Sequence, residues 1–150
     1  MSLPLEGIRV LAVEQYGAGP AGSIYLADLG AEVIKIENLR EGGDVGRHVG
    51  PYFFGPGDSQ FFQTFNRNKR SIALDLSKTD ARGVLRDLAR TADGEFDNLR
   101  GDLPAKLGLT YEHLKEVNPR IVCAHLSAYG RGGSRGAWPG YDYLMQAEAG

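Results

Sequence analysis

Cysteine is nearly absent from this 150-residue sequence, which has one. A single thiol builds neither a disulfide framework nor a cysteine zinc site. Cys123 lies inside the apolar run from Ile121 to Leu126, so it reads as a small core residue and not as a nucleophile. No metal centre is expected. Excess charge is missing too: 17 Lys and Arg against 19 Asp and Glu give a net charge of −2, without the basic face that nucleic acid requires. No apolar run is long enough to span a bilayer, and Leu5 is followed at once by Glu6 and Arg9, which breaks any signal-peptide pattern. The expectation is a soluble cytoplasmic protein without membrane or nucleic-acid partners. Glycine, in contrast, is abundant. The 21 glycines are about twice the ordinary usage of roughly 7%, and they cluster in loops, which suggests backbone brought close to a ligand.

The organising stretch runs from Ile8 to Glu37. Ile8 to Glu14 and Ala31 to Glu37 are short, branched, apolar runs that read as buried parallel strands. Between them Gly17, Gly19, Pro20 and Gly22 open a helix that carries Ile24, Tyr25, Leu26 and Leu29 and stops at Gly30. The three glycines spell the dinucleotide fingerprint, with Glu37 ending the second strand, so a nicotinamide or flavin site is the literal reading. Against it, Glu14, Gln15 and Tyr16 prolong the first strand before the first glycine and put polar groups where a pyrophosphate would sit.

Beyond this unit, residues 38–57 hold six glycines and two prolines and read as a long irregular segment, with Arg40, Asp44, Arg47 and His48 beyond the strand end. His48 reads as a solvated loop histidine. Ser59 to Asn66 brings Phe61, Phe62 and Phe65 onto a helical turn, and Asn66 to Arg70 is a basic cluster, either a solvated face or a phosphate holder. A third strand spans Ser71 to Leu76. Ser77 caps a helix from Lys78 to Thr91 whose apolar stripe is core. A weak fourth strand covers Gly94 to Asn98, and short helices end at Gly108 and follow Thr110. A fifth strand spans Arg120 to Ser127, with His125 a packed or edge histidine, and a last helix covers Asp142 to Ala149. Strand and helix alternate, so the expected fold is α/β, a Rossmann-like, doubly wound, mostly parallel sheet with helices on both faces.

These segments together resemble the amino-terminal part of the class III CoA-transferases, the CaiB/BaiF type that includes formyl-CoA transferases and α-methylacyl-CoA racemases. The resemblance is carried by Leu5 to Leu11, Gly17-Ala18-Gly19-Pro20, Leu29 to Glu37, Asn66 to Leu76, Leu107 to Glu112, Asn118 to Ile121 and Pro139 to Asp142. It implies that residues 1–150 are a CoA-binding portion of the large domain, without the small domain or the carboxyl-terminal return. It also implies transfer of CoA from an acyl-CoA to a carboxylic acid through an acyl-aspartyl anhydride and an aspartyl-CoA thioester. Coenzyme A is then the substrate cofactor, with no metal, and the partner is a second copy in a homodimer or the absent carboxyl-terminal part.

Carried over residue by residue, the resemblance puts Gln15, in a supporting catalytic role, and Tyr16 beside the thioester. Arg40 stands in for a phosphate-binding arginine, because Asn38 occupies the usual position. Leu74, Asp75, Leu76, Ser77, Asn98, Leu99, Arg100, Lys106, Pro139, Gly140, Tyr141 and Asp142 complete the CoA contacts. The Asn98 to Asp102 turn lacks the family's aromatic and proline. Tyr141 stands where racemase members carry histidine, and a phenol is a poor base at neutral pH, which favours transfer over racemisation. The nucleophilic aspartate is expected beyond Gly150, so this stretch alone is expected to be inactive. A catalytically silent CoA-binding module is the alternative of another class.

Overall fold

The computed structural model describes residues 2–150. In chain order the elements are β1 (Arg9–Val13), α1 (Ala18–Asp28), β2 (Glu32–Glu37), two short 3-10 turns within 39–48, β3 (Phe53–Gly55) and β4 (Asp58–Ser59). They continue with α2 (Gln60–Asn66), β5 (Arg70–Ala73), α3 (Thr79–Ala89), β6 (Gly94–Asp97), α4 (Leu103–Leu107), α5 (Tyr111–Leu114), β7 (Val122–His125) and α6 (Asp142–Ala149). Five strands form one sheet in the order β5-β2-β1-β6-β7, every neighbouring pair parallel, while β3 and β4 make a separate antiparallel hairpin. The chain moves outward from β1 on one side and then returns to build the other. That leaves a crevice beyond the carboxyl ends of β1 and β6, where open α/β sheets bind ligands.

Period-two alternation sends each strand to both faces. Val10 and Ala12 of β1 join Val33, Ala27 and Ala31 in a core beneath α1, while Leu11 and Val13 join Ile36, Leu85, Ala89 and Leu114 in a second core beneath α3 and α5. The expected α/β sheet with helices on both faces is therefore the fold. Pro20 falls in the first turn of α1 and Gly30 takes φ +102° just past its end, as their positions predict.

Two local expectations are corrected. Ser77 does not cap α3, because Asp75 captures both its hydroxyl, at 2.6 Å, and its N–H, at 3.1 Å. Lys78 holds the cap position instead and offers no side-chain acceptor. The third strand begins at Arg70 and leaves the sheet after Ala73, so Leu74 to Ser77 form a strand-end loop.

Candidate functional site

The two faces differ at the carboxyl ends of the strands. Beneath α3, β1 and β2 stay apolar. Toward α1, where Ala12 and Val33 give way to Glu14, Lys35 and Glu37, they become ionic. All three charged residues are buried. The Lys35 ammonium lies 2.7 Å from Asp44 Oδ2, 3.5 Å from Glu14 Oε1 and 3.2 Å from the Glu14 carbonyl. Lys69 donates to Glu14 Oε1 at 2.8 Å and to the Pro20 carbonyl at 2.9 Å, and the Ser23 hydroxyl donates to the same carboxylate. Burial lowers the Lys69 pKa, and Glu14 pulls it partly back.

The network also anchors the glycine-rich loop. Asp44 Oδ1 accepts N–H bonds from Tyr16 and Gly46, each at 2.7 Å, while the Asp44 N–H donates to Glu37. Arg47 grips both oxygens of Glu37 at 2.7 Å, with its guanidinium 3.8 Å from the centre of the Phe62 ring. Burial alone would raise the Glu37 pKa, yet the Arg47 fork, the Ser71 hydroxyl and the Asp44 N–H outweigh it and hold the carboxyl at about 2. A group depressed in the folded state contributes stability above its ordinary pKa of 4.5 and loses it as pH falls toward about 2. That difference corresponds to about 3 kcal/mol. Urea unfolding is expected to show this loss between pH 4.5 and pH 2, with a much shallower decline for Glu37→Gln. Equal declines would mean that Glu37 is not the responsible group.

The same contacts show how two groups singled out in the sequence are held. Glu14 lines the first cavity, as its place after the strand predicts, with its carboxylate engaged by Ser23, Lys35 and Lys69. In the Asn66 to Arg70 cluster, Lys69 is buried against Glu14, while the exposed Arg67 and Arg70 pair with Asp28 at 2.5 Å and Glu32 at 2.9 Å. His48 is exposed, as read from the sequence.

Several cavities open at the carboxyl ends of the strands among the described residues, and two of them bear on the site. The first, about 240 Å³, lies over β1, β2 and β5 and takes in Leu74, Asp75, Leu76 and Ser77 together with Val13, Ile36 and the α4 leucines Leu103 and Leu107. The second, about 510 Å³, takes in Tyr16, Asn98, Arg100 and Pro139 to Asp142, with Val45 and Phe65. Gln15, Leu99 and Leu103 line both, so one crevice runs across the end of the sheet. Sequence reasoning missed Leu103, Leu107, Val45 and Phe65, for which apolar periodicity signals core only. Arg40 lies at the rim, where its 69% exposed side chain pairs with Asp75 at 3.3 Å. Such a pair is weak, which leaves the guanidinium free to take an anion. Lys106 lines neither cavity and pairs with Asp102 at 2.6 Å, beside Arg100, which pairs with the same carboxylate at 2.8 Å.

At the centre, the Asn98 carboxamide clasps the main chain of Gln15: its Oδ1 accepts the Gln15 N–H and its Nδ2 donates to the Gln15 carbonyl, both at 2.9 Å. The clasp fixes the backbone and leaves the Gln15 carboxamide to the crevice. Tyr16 follows at φ +65°, a left-handed conformation costing a bulky residue about 1–3 kcal/mol, held by the Asp44 contact and by ring packing on Phe61 and Tyr141. Glycines bring the remaining walls in. A Cβ on Gly101 would lie 2.1 Å from the Gly130 carbonyl oxygen, and one on Gly140 would lie 2.2 Å from the Ala128 Cβ. The space beside Gly19, which the literal dinucleotide motif reserves for a pyrophosphate, is filled by Asn98.

Among known proteins, the profile described as CoA-transferase family III matches residues 5–150. The succinate–glutarate CoA-transferase of Agrobacterium fabrum is 40% identical over 152 residues, covering 98% of this chain and 38% of that protein. The succinyl-CoA:glutarate CoA-transferase of Homo sapiens is 35% identical over 147 residues, covering 98% of this chain and 33% of that one. The crystal structure of a CAIB/BAIF family protein from Brucella suis superposes with a TM-score of 0.88 at 34% identity, covering 99% of this chain and 39% of that chain. The chain thus spans well under half the length of these relatives.

Proposed function

Because the chain belongs to CoA-transferase family III, we propose that it forms the CoA-binding part of an enzyme that moves CoA from an acyl-CoA to a carboxylic acid. The observation that carries this reading is the continuous crevice bridged by Gln15, Leu99 and Leu103. A ligand with an anionic nucleotide at one end and a thin acylated arm matches that shape. The apolar wall of the first cavity, Val13, Ile36, Leu74 and the α4 leucines, suits the adenine, with Asp75 and Ser77 offering polar contacts and Arg40 released from Asp75 to a phosphate. The arm then passes Gln15, Asn98 and Leu99 and brings the thioester beneath Tyr16 and the start of α6.

In the proposed reaction a carboxylate from an aspartate beyond Gly150 attacks the thioester carbonyl, forming a mixed anhydride and releasing the CoA thiolate. The thiolate attacks the aspartyl carbonyl, which gives an aspartyl-CoA thioester and frees the first acid. The incoming carboxylate displaces CoA to form a second anhydride, and the thiolate takes its acyl group and regenerates the aspartate. The chain's own contribution is to hold the thioester still. The Gln15 carboxamide, on a main chain fixed by Asn98, supplies a hydrogen bond at the reacting carbonyl, and the Tyr141 ring, backed by Tyr143 stacked 5.7 Å away, walls the site. The whole enzyme on this reading is a cytoplasmic homodimer.

Calorimetric titration tests the proposal. CoA is expected to bind, NAD to give no heat, and Gln15→Ala to weaken CoA about 10-fold, the equivalent of one hydrogen bond. Binding of NAD in place of CoA would return the glycine motif to its literal meaning and overturn the reading.

A further inference from the structure

On the α3 face of the sheet, away from the lysine network, β6 carries two carboxylates where a central strand ordinarily carries apolar side chains. Glu95 and Asp97 are 1% and 0% exposed. The parallel register sets Glu95 beside Cys123 and Asp97 beside His125 of β7, all on one face. The His125 ring is packed, as its strand position predicts, but its Nδ1 is turned inward, 2.5 Å from Asp97 Oδ2 and 3.9 Å from Glu95 Oε2. One donor atom from each of the three side chains falls within 4.8 Å of the others.

Glu95 makes this more than a packed cluster. Neither of its carboxylate oxygens has a hydrogen-bond donor among the described residues, although both are shut off from water. Buried carboxylates are not left bare, because desolvation without a partner costs several kcal/mol. A proton shared with Asp97 would satisfy one oxygen and leave the other without a donor. A cation placed among the three groups would face both, and would offset the two adjacent negative charges.

We infer that Glu95, Asp97 and His125 form a site for one divalent first-row transition-metal ion, joining the ends of β6 and β7. Two carboxylates and an imidazole suit a cation of borderline hardness such as Zn²⁺ or Mn²⁺ better than Ca²⁺ or Mg²⁺. The ion is structural. Asp97 precedes Asn98, the residue that clasps Gln15, and its carbonyl accepts the Leu126 N–H. A metal there stiffens the floor of the crevice without touching its ligand. Ligands from two strands 28 residues apart leave no local spacing, and so no trace in the sequence.

The test takes the chelator-stripped protein and titrates it with ZnCl₂, and separately with MnCl₂ followed by loss of the free Mn²⁺ electron paramagnetic resonance signal. The expected result is one ion per chain, Zn²⁺ displacing Mn²⁺, and a Zn²⁺-dependent rise in Tm of about 5 °C. Millimolar Mg²⁺ is expected to do neither. Glu95→Gln keeps the shape and drops the charge, so it is expected to fold and to bind Zn²⁺ at least about 100-fold more weakly. His48→Ala, at an exposed histidine outside the cluster, is expected to bind as wild type. Failure of the wild-type protein to take up either ion overturns the inference, and so does unchanged Zn²⁺ binding by Glu95→Gln. The Mn²⁺ signal on wild type decides the matter even if a variant does not fold.

Discussion

Lys35→Met is expected to remove about 3–5 kcal/mol of folding stability, a large part of the roughly 5–15 kcal/mol that a domain of this size commands. The Lys35 side chain is 1% exposed and sits between Glu14 and Asp44, themselves fully buried. Glu14 keeps Lys69 and Ser23 when Lys35 is lost, so it remains partnered. Asp44 keeps its two N–H donors on Oδ1 but loses the one ammonium in contact with Oδ2, which lies 2.7 Å away and has no well-aligned hydrogen-bond donor among the described residues. Methionine fills the volume of lysine but leaves that carboxylate stranded. Urea unfolding measures the loss. Asp44→Asn in the Lys35→Met background removes the stranded charge, so the two changes are expected to be non-additive by about 1–3 kcal/mol. A Lys35→Met cost below about 1 kcal/mol would show that the buried pair is dispensable. Because Asp44 also holds the Tyr16 and Gly46 N–H groups, the same substitution is expected to weaken CoA binding through the loop, without touching the ligand.

That network marks where sequence reading reached its limit. Alternation and glycine punctuation carried the β1-α1-β2 unit, the parallel sheet and the Asp142–Ala149 helix, because those signals are local. The family resemblance singled out Gln15, Leu74 to Ser77, Asn98 to Arg100 and Pro139 to Asp142, and these line one crevice at the carboxyl ends of the strands. Charges were different. In the run Val33-Ile34-Lys35-Ile36-Glu37, read as a buried strand, nothing local shows what would partner the lysine. It is buried because Glu14, 21 residues earlier, and Asp44, in a separate loop, meet it from elsewhere in the chain. Arg67, Lys69 and Arg70 look like a phosphate cluster for the same reason: their acidic partners Asp28, Glu14 and Glu32 are all distant in sequence. Ser77 failed as a cap for a local reason, since Asp75 two residues earlier competes for the same hydroxyl.

The glycine motif offers a sharper test of which reading of the crevice is right. Gly19 sits in the first turn of α1 with an ordinary helical backbone, where alanine should gain about 0.5–1 kcal/mol over glycine. Here the sign is expected to reverse. A Cβ on Gly19 would lie 2.6 Å from Asn98 Cγ and 2.9 Å from its Cβ, so more than a flexible side-chain tip must move. Overpacking of this kind costs about 1–3 kcal/mol. Displacing Asn98 also opens the clasp on Gln15, so Gly19→Ala is expected to weaken CoA binding about 10-fold or more, through a residue that touches no ligand. In an Asn98→Gly background the obstruction is gone, and Gly19→Ala is expected to become stabilising while CoA binding stays weak. Stability from urea midpoints and affinity from calorimetry, read in both backgrounds, separate the two roles. If Gly19→Ala is equally harmful with and without Asn98, the crowding comes from something else. If it leaves stability unchanged in the wild-type background yet abolishes binding of a dinucleotide, the glycine faces a pyrophosphate after all. The reversal of sign is the signature of a glycine kept for the protein's own carboxamide, the group that fixes where a thioester would meet the chain.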